Sequence, residues 1–161
     1  MQQDVRDRLR TPELGPCACS LVRRTARKLS LFYDFLLAEV DLTITQYSLL
    51  ATIARSGKIG HNALAAKVGM ERTTLTRNLR PLINAKWVAT ATGEDRRQHL
   101  LQLTAAGNRK LSRALPLWEK AQREFADQIG TESLRELSTI LGLAESAVTK
   151  AFATMQQDPA R

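Results

Sequence analysis

The chain has 161 residues, 43% of them hydrophobic, and a formal net charge of +8. This length allows one domain with a hydrophobic core, or a small module with helices that pair it with a second copy. The positive charge favours a polyanionic partner. No apolar run approaches the roughly 18 residues of a membrane span, and the N-terminus lacks the basic-then-apolar order of a signal peptide, so we expect a cytoplasmic protein without membrane contact. The positive charge is concentrated in segment 67–113, which holds ten Lys and Arg against three Asp and Glu.

The N-terminal part of the chain predicts a flexible arm followed by a long helix. Residues 1–16 are polar and end in Gly and Pro, which is typical of a loosely ordered arm. Residues 17–42 then carry apolar side chains at alternating spacings of three and four, the pattern of an amphipathic helix. Because its apolar stripe needs a second surface to cover it, we interpret this helix as a dimerisation helix.

Two cysteines, Cys17 and Cys19, stand at the start of this helix. They are too few and too close together to staple a secreted fold, so we expect thiols in a reducing compartment. A helix N-terminus makes a thiolate more reactive, and redox sensing is therefore one hypothesis. The other is that both are small helix-start residues that pack. A thiol redox enzyme is disfavoured, because no nearby base and no strand–helix pattern accompanies the pair.

The next segment predicts a helix-turn-helix. Thr43 and Gln46 form an S/T-x-x-Q capping box that opens a helix. Residues 61–68 form a short helical piece with small alanines, and Gly69 supplies a turn before the helix over 71–86. In a helix-turn-helix the second helix enters the major groove of DNA.

The helix over 71–86 has two chemically different faces. Leu75, Leu79 and Leu82 fall on one stripe, which predicts the core side. The opposite side mixes guanidinium groups with hydroxyls, which together donate to phosphate oxygens and base edges. The predicted DNA contacts of this helix are Arg72, Thr73, Thr74, Thr76, Arg77 and Arg80. From this helix alone, an ordinary amphipathic helix with a solvated basic face remains the alternative.

A β-hairpin follows directly. Residues 87–92 are rich in β-branched and aromatic side chains, and residues 98–103 predict the returning strand. Arg96 and Arg97 lie near the tip, where they reach the sugar-phosphate backbone or the minor groove. Asp95 would repel phosphate if it were free, so we expect it to orient an arginine through an ion pair.

The C-terminal third predicts two long helices. Thr104 caps the first, in which Pro116 should cause a bend, and Thr131 caps the second. The second helix keeps apolar residues at strict three-four spacing for about three heptads, a pattern typical of a seam between helices. Residues 104–157 are therefore predicted as C-terminal dimerisation helices, and residues 158–161 as a tail.

Long helices thus flank a compact module predicted at residues 43–103, which offers little surface to cover their apolar stripes. Packing against a second copy is the economical solution, and packing of the first and last helices within one chain is the alternative. A two-fold dimer would set two recognition helices about one helical turn, roughly 34 Å, apart and so read a palindromic site.

Three segments of the chain resemble the MarR family of bacterial transcription regulators. Residues 95–97 with 103–107 are similar to the family's D-x-R-x5-L-T-x-x-G pattern, residues 73–77 to its recognition-helix core, and residues 42–47 to the lead into its second helix. The resemblance covers about residues 17–157. It implies a winged-helix homodimer that usually represses promoters and is often released by a small-molecule effector or an oxidant.

The resemblance also implies roles for individual residues. Thr73, Thr76 and Arg77 would face the major groove, and Arg97 would enter the minor groove. Asp95 would orient an arginine of the wing or of the recognition helix.

The chain departs from the family pattern at two positions. A family glycine at the end of the recognition helix is Lys86 here, and a family glutamate is Ile83. A non-glycine residue adopts the left-handed conformation at a cost of roughly 1 kcal/mol, so binding should survive a junction of different shape.

The predicted fold class is mainly α with a small β-hairpin wing, a winged helix-turn-helix with long N- and C-terminal dimerisation helices. The predicted function is a sequence-specific transcriptional regulator that binds double-stranded DNA as a homodimer, with repression as the favoured output. A non-specific DNA-coating protein is the alternative. We predict no catalytic residue and no cofactor, and no metal site, because His61 and His99 lack ligating neighbours. Trp118, Phe32 and Tyr33 would line an effector pocket or, as single aromatics, belong to the core.

Overall fold

A computed structural model describes residues 15–92 and 99–157. These residues form a mainly helical fold with a small antiparallel sheet, which confirms the predicted fold class. The helices are α1 (Ala18–Leu37), α2 (Ile44–Ser56), α3 (His61–Val68), α4 (Arg72–Asn84), α5 (Ala105–Ile129) and α6 (Thr131–Gln157). The strands are β1 (Lys58–Gly60), β2 (Val88–Thr92) and β3 (His99–Leu103). The chain divides into two compact units, Met1–Trp118 and Glu119–Arg161.

The start of α2 is fixed by the capping box that the sequence predicts. Thr43 Oγ1 accepts a hydrogen bond from Gln46 N at 3.3 Å, and Gln46 Oε1 accepts one from Thr43 N at 3.0 Å. A third bond comes from outside the motif, since the Asp34 carboxylate accepts the Ile44 N–H at 2.6 Å. Three of the chain's polar groups therefore satisfy backbone N–H groups that a helix start otherwise leaves unpaired.

The sheet contains one strand more than the predicted hairpin. The strand order is β1-β3-β2, with both pairs antiparallel, and Ile59 of β1 lies opposite Leu101 of β3. β1 has no signature in the sequence, because three residues are too few to show an alternating pattern. The pairing ties the segment between α2 and α3 to the hairpin.

Buried apolar side chains of α2, α3, α4 and the sheet form the core of the first unit. Leu75, Leu79 and Leu82 of α4 are all among them, as their spacing predicts. The ends of the flanking helices also contribute, through Leu37 of α1 and Ala114 of α5. The core therefore extends beyond the segment 43–103 into both neighbouring helices.

The chain between α4 and β2 turns in a left-handed conformation at Lys86, with φ of 57°. The Trp87 N–H donates to Leu82 O at 2.9 Å, which closes the helix end. Thr104 Oγ1 donates to Lys86 O at 2.6 Å and accepts the Gly107 N–H at 3.0 Å. The start of α5 is thereby bonded to the segment that follows α4.

The second unit contains the C-terminal part of α5 and all of α6. Gly130 separates the two helices with φ of 85°, and α6 begins at Thr131 itself. The prediction that Thr131 caps α6 is therefore wrong, because the left-handed Gly130 lets the helices follow one another within a single residue and its carbonyl accepts the Leu134 N–H at 3.0 Å. None of the 27 residues of α6 is buried.

Candidate nucleic-acid interface

The recognition helix α4 turns a basic, acid-free face outward. Thr73, Arg77 and Arg80 are exposed, while the leucine stripe behind them is buried. No Asp or Glu occurs between Arg72 and Asn84. The buried leucines hold the helix by one side only, so the opposite side is free to enter a groove.

The guanidinium groups of this face are available for an external anion. Within residues 15–92 and 99–157, no ion pair joins Arg72, Arg77 or Arg80 to a carboxylate. Elsewhere in this part of the chain the pattern differs, since Arg123 lies 3.9 Å from the Glu119 carboxylate. Unpaired arginines on a rigid helix match the geometry of phosphate oxygens and guanine edges.

Two further predicted contact residues lie at the flanks of the exposed face. Thr76 is exposed, and its hydroxyl donates to Arg72 O at 2.9 Å and lies 3.2 Å from Nε2 of His61 on α3. Thr74 is half-buried, and its carbonyl accepts a bond from Asn78 Nδ2 at 2.9 Å. The structure thus brings five of the six predicted helix residues to the surface and places Thr74 at the edge.

The wing extends from the sheet, as the sequence predicts, but its tip is not described. Strands β2 and β3 pair from Val88 opposite Leu103 to Thr92 opposite His99. The predicted tip residues Asp95, Arg96 and Arg97 lie outside the described residues.

Comparisons with known proteins agree with this geometry. The sequence model of the MarR family matches residues 42–99. The transcriptional regulator MosR of M. tuberculosis, solved in complex with DNA, is 38% identical to this chain, with 82% of this chain and 98% of that one covered and a TM-score of 0.71. This chain belongs to the MarR family. The repressor CouR bound to a 23-mer DNA duplex shares the fold at 22% identity, with 84% and 97% of the two chains covered and a TM-score of 0.74. No curated protein matches the chain.

In this MarR-family chain both cysteines are exposed. Cys17 immediately precedes α1, and Cys19 lies in its first turn. Neither forms a disulfide. The predicted position at a helix start is therefore confirmed, while the sensing role stays a prediction.

The aromatic residues that were predicted to line an effector pocket form two separate local contacts. Trp118 stacks on Tyr47 with ring centroids 5.5 Å apart and packs against the core. Phe32 meets Tyr33 edge to face at 5.6 Å, and burial raises the pKa of Tyr33. These contacts favour the alternative interpretation of Trp118 as a core residue.

The contact between His61 and Thr76 of α4 was not predicted from the sequence, where His61 was only a candidate metal ligand. Among residues 15–92 and 99–157 no group of three or more His, Cys, Asp or Glu could hold a metal ion. His61 and Thr76 are 15 positions apart in the chain, so no local sequence pattern reveals their contact. In the same ranges no helix has both the length and the apolar character to span a membrane.

Proposed function

We propose that this MarR-family chain is a cytoplasmic transcriptional repressor that binds a pseudo-palindromic DNA operator as a homodimer. The observation that carries the proposal is the exposed, acid-free face of α4, held rigidly by three buried leucines. The solved complexes of MosR and CouR with DNA support it, since both relatives share the fold and MosR is 38% identical over the 82% of this chain that it covers.

Within this proposal the helix side chains divide by chemistry. Arg77 and Thr73, exposed one turn apart, reach base edges in the major groove, and Arg72 and Arg80 contact base edges or phosphates beside them. Thr74, being half-buried, contacts the backbone at the edge of the groove. Positioning comes from the phosphates, and sequence discrimination comes from the base edges.

The wing supplies a second set of contacts in the proposal. The paired strands β2 and β3 flank the segment that holds these residues. We assign Arg97 to the minor groove, Arg96 to the sugar-phosphate backbone, and Asp95 to an ion pair that orients an arginine. A narrow minor groove has an enhanced negative potential, which favours an inserted guanidinium group.

Large apolar side chains that are exposed to solvent in a single copy support the homodimer. On α6 the exposed fractions are 55% for Val148, 62% for Phe152 and 62% for Met155, and on α1 that of Phe35 is 80%. The α6 residues follow one another at spacings of four and three and so share one helix face, and an exposed apolar stripe of this kind marks an interaction surface. We propose that a second copy covers it, with residues 17–42 and 104–157 as the dimerisation region and residues 43–103 as the DNA-binding module.

A cavity behind the recognition helix supports a small-molecule effector. Its volume is about 480 Å³, and it lies between α4 and the sheet, with Leu79, Ile83 and Leu101 in its wall and Arg80 and Asn84 at its polar edge. An apolar ligand seated there would contact the helix that reads DNA. An effector using this cavity should weaken operator binding by the wild type, and should no longer do so in Ile83→Trp, whose larger side chain fills the space.

The decisive experiment selects genomic DNA fragments bound by the purified protein and measures their affinity at several salt concentrations. We expect a steep fall of log K with log salt for any sequence, because Lys and Arg release counterions from phosphates. We also expect a selected site to bind at least about a thousandfold more tightly than random DNA at fixed salt. Equal affinity for all sequences would instead identify a DNA-coating protein.

A further inference from the structure

The hydroxyl group of Thr76 makes its hydrogen bonds within the protein. A threonine hydroxyl has one proton to donate and two lone pairs to accept with. Thr76 Oγ1 donates its proton to Arg72 O, at 2.9 Å, one turn back along the same helix. The contact of 3.2 Å with His61 Nε2 therefore has the imidazole N–H as donor and the hydroxyl oxygen as acceptor.

The surroundings of the other imidazole nitrogen agree with Nε2 as the donor. Nδ1 of His61 is buried and has no hydrogen-bond partner among the described residues. A bare nitrogen at that position costs less free energy than a buried N–H group without an acceptor. In the neutral ring one nitrogen carries the proton, and Thr76 fixes it on Nε2.

An exposed threonine whose hydroxyl has no proton left to donate offers its methyl group to the outside. Thr76 is exposed on the flank of α4. A threonine methyl packs against the 5-methyl group of thymine in the major groove, the one apolar mark on a base edge. We propose that Thr76 recognises thymine through its methyl group and that His61, from α3, is the positioning residue that holds the hydroxyl away from the DNA.

Thr73 provides an internal contrast on the same helix. It is also exposed, but its hydroxyl makes no hydrogen bond to any other residue in the described ranges. Its proton remains available for a phosphate oxygen or a base acceptor. Two threonines of one recognition helix therefore have different roles, polar for Thr73 and apolar for Thr76.

The inference rests on the proposed function, and its test uses the full-length protein and the operator obtained by selection. Each thymine of the operator is replaced in turn by deoxyuridine, which removes only the 5-methyl group and keeps base pairing. We expect one position per half-site at which wild-type binding weakens about fourfold, the equilibrium equivalent of one buried methyl group.

The variants assign that position to Thr76. Thr76→Ser, which keeps the hydroxyl and loses the methyl group, should bind thymine and deoxyuridine equally at that position. Thr76→Val, which keeps the methyl group and loses the hydroxyl, should retain the fourfold ratio. Thr73→Ser is the matched control and should also retain it. Because each ratio compares two DNAs with one protein preparation, partial unfolding of a variant does not alter it.

The same ratio tests the role of His61. In His61→Leu the Thr76 hydroxyl keeps its bond to Arg72 O but loses the second bond that fixes its rotamer. Rotamers that turn the hydroxyl toward the DNA then become populated, so the ratio should fall toward one while other thymines are unaffected. An unchanged ratio would overturn the role assigned to His61. Loss of the ratio in Thr76→Val would show a hydroxyl contact and overturn the methyl contact, as would a wild type indifferent to every deoxyuridine in an operator it binds tightly. A chain with no preferred site would overturn the proposed function itself, and this inference with it.

Discussion

The backbone of α5 at Gly107 packs directly against the carbonyl group of Trp87, so closely that a Cβ atom on Gly107 would overlap the Trp87 oxygen. The two residues belong to the two ends of the hairpin, since Trp87 precedes β2 and Gly107 follows β3. Thr104 strengthens the junction, because its backbone N–H donates to Trp87 O at 3.0 Å. The glycine in the family pattern is therefore a packing requirement at the base of the wing.

Gly107→Ala should destabilise the protein. The added Cβ meets backbone atoms that cannot rotate away, so we expect the free energy of unfolding to fall by about 2 kcal/mol or more. Gly142→Ala on α6 is the matched control, because nothing lies within 4 Å of a Cβ there. It should raise stability by about 0.5–1 kcal/mol through helix propensity. Denaturant unfolding of both variants measures the contrast, and equal effects would contradict the close approach.

Lys86→Gly should stabilise the same junction, at the end of α4. Lys86 holds φ of 57° at the end of α4, a conformation that costs a non-glycine residue roughly 1 kcal/mol. Relief of this strain should raise the free energy of unfolding by about that amount. Lys86→Ala keeps the Cβ and the strain, so it should leave stability within about 0.5 kcal/mol of the wild type. A stabilising alanine would show that the lysine charge, rather than the backbone, is unfavourable.

The sequence predicted those features whose residues lie close together along the chain. The leucines of α4 and the Thr43–Gln46 capping box lie within one or a few helical turns, so spacing alone identifies them. The left-handed conformation at Lys86 was expected only because the family resemblance places a glycine there, and β1 was invisible because its three residues form a strand only by pairing with β3.

The candidate interface shows the same limit. The arginines of α4 follow from their helical face, whereas the contact between Thr76 and His61 depends on how α3 packs against α4. The turn between the two helices contains Gly69, whose left-handed conformation, with φ of 63°, ends α3. Only the folded chain shows which threonine hydroxyl is available to DNA.

Arg77→Ala should weaken operator binding and relax its specificity. The exposed guanidinium group has no ion-pair partner in the described part of the chain, and loss of a base contact costs roughly 1 to 3 kcal/mol. Arg123→Ala removes the same side chain from α5 and should leave the affinity unchanged. Fluorescence anisotropy with the operator and with variants of each base pair measures both. A uniform loss across all sequences would identify Arg77 as a phosphate contact.

Val148→Glu should prevent dimerisation. It places a charge in the exposed apolar stripe of α6, where the proposed second copy would have to bury it unpaired. Sedimentation should show a particle of twice 17.9 kDa for the wild type and of 17.9 kDa for the variant, with loss of tight operator binding. Lys150→Glu is the control, half a helical turn away from the stripe, and should remain dimeric. A wild type that is monomeric at micromolar concentration would contradict the proposed dimer.

Oxidation of the exposed thiols should weaken operator binding if they sense oxidants. Cys17 and Cys19 are both exposed at the N-terminal end of α1, where a solvent-borne oxidant can reach them. Peroxide converts a thiolate to a sulfenic acid and is itself reduced to water, which places a polar or cross-linked group on a predicted dimerisation helix. We expect wild-type affinity to fall by about tenfold, within the usual range of coupling between two sites, and to recover with a thiol reductant. The double variant Cys17→Ser, Cys19→Ser should bind equally with and without peroxide. If the wild type also binds equally under both conditions, the cysteines are packing residues of the helix start and the sensing hypothesis is wrong.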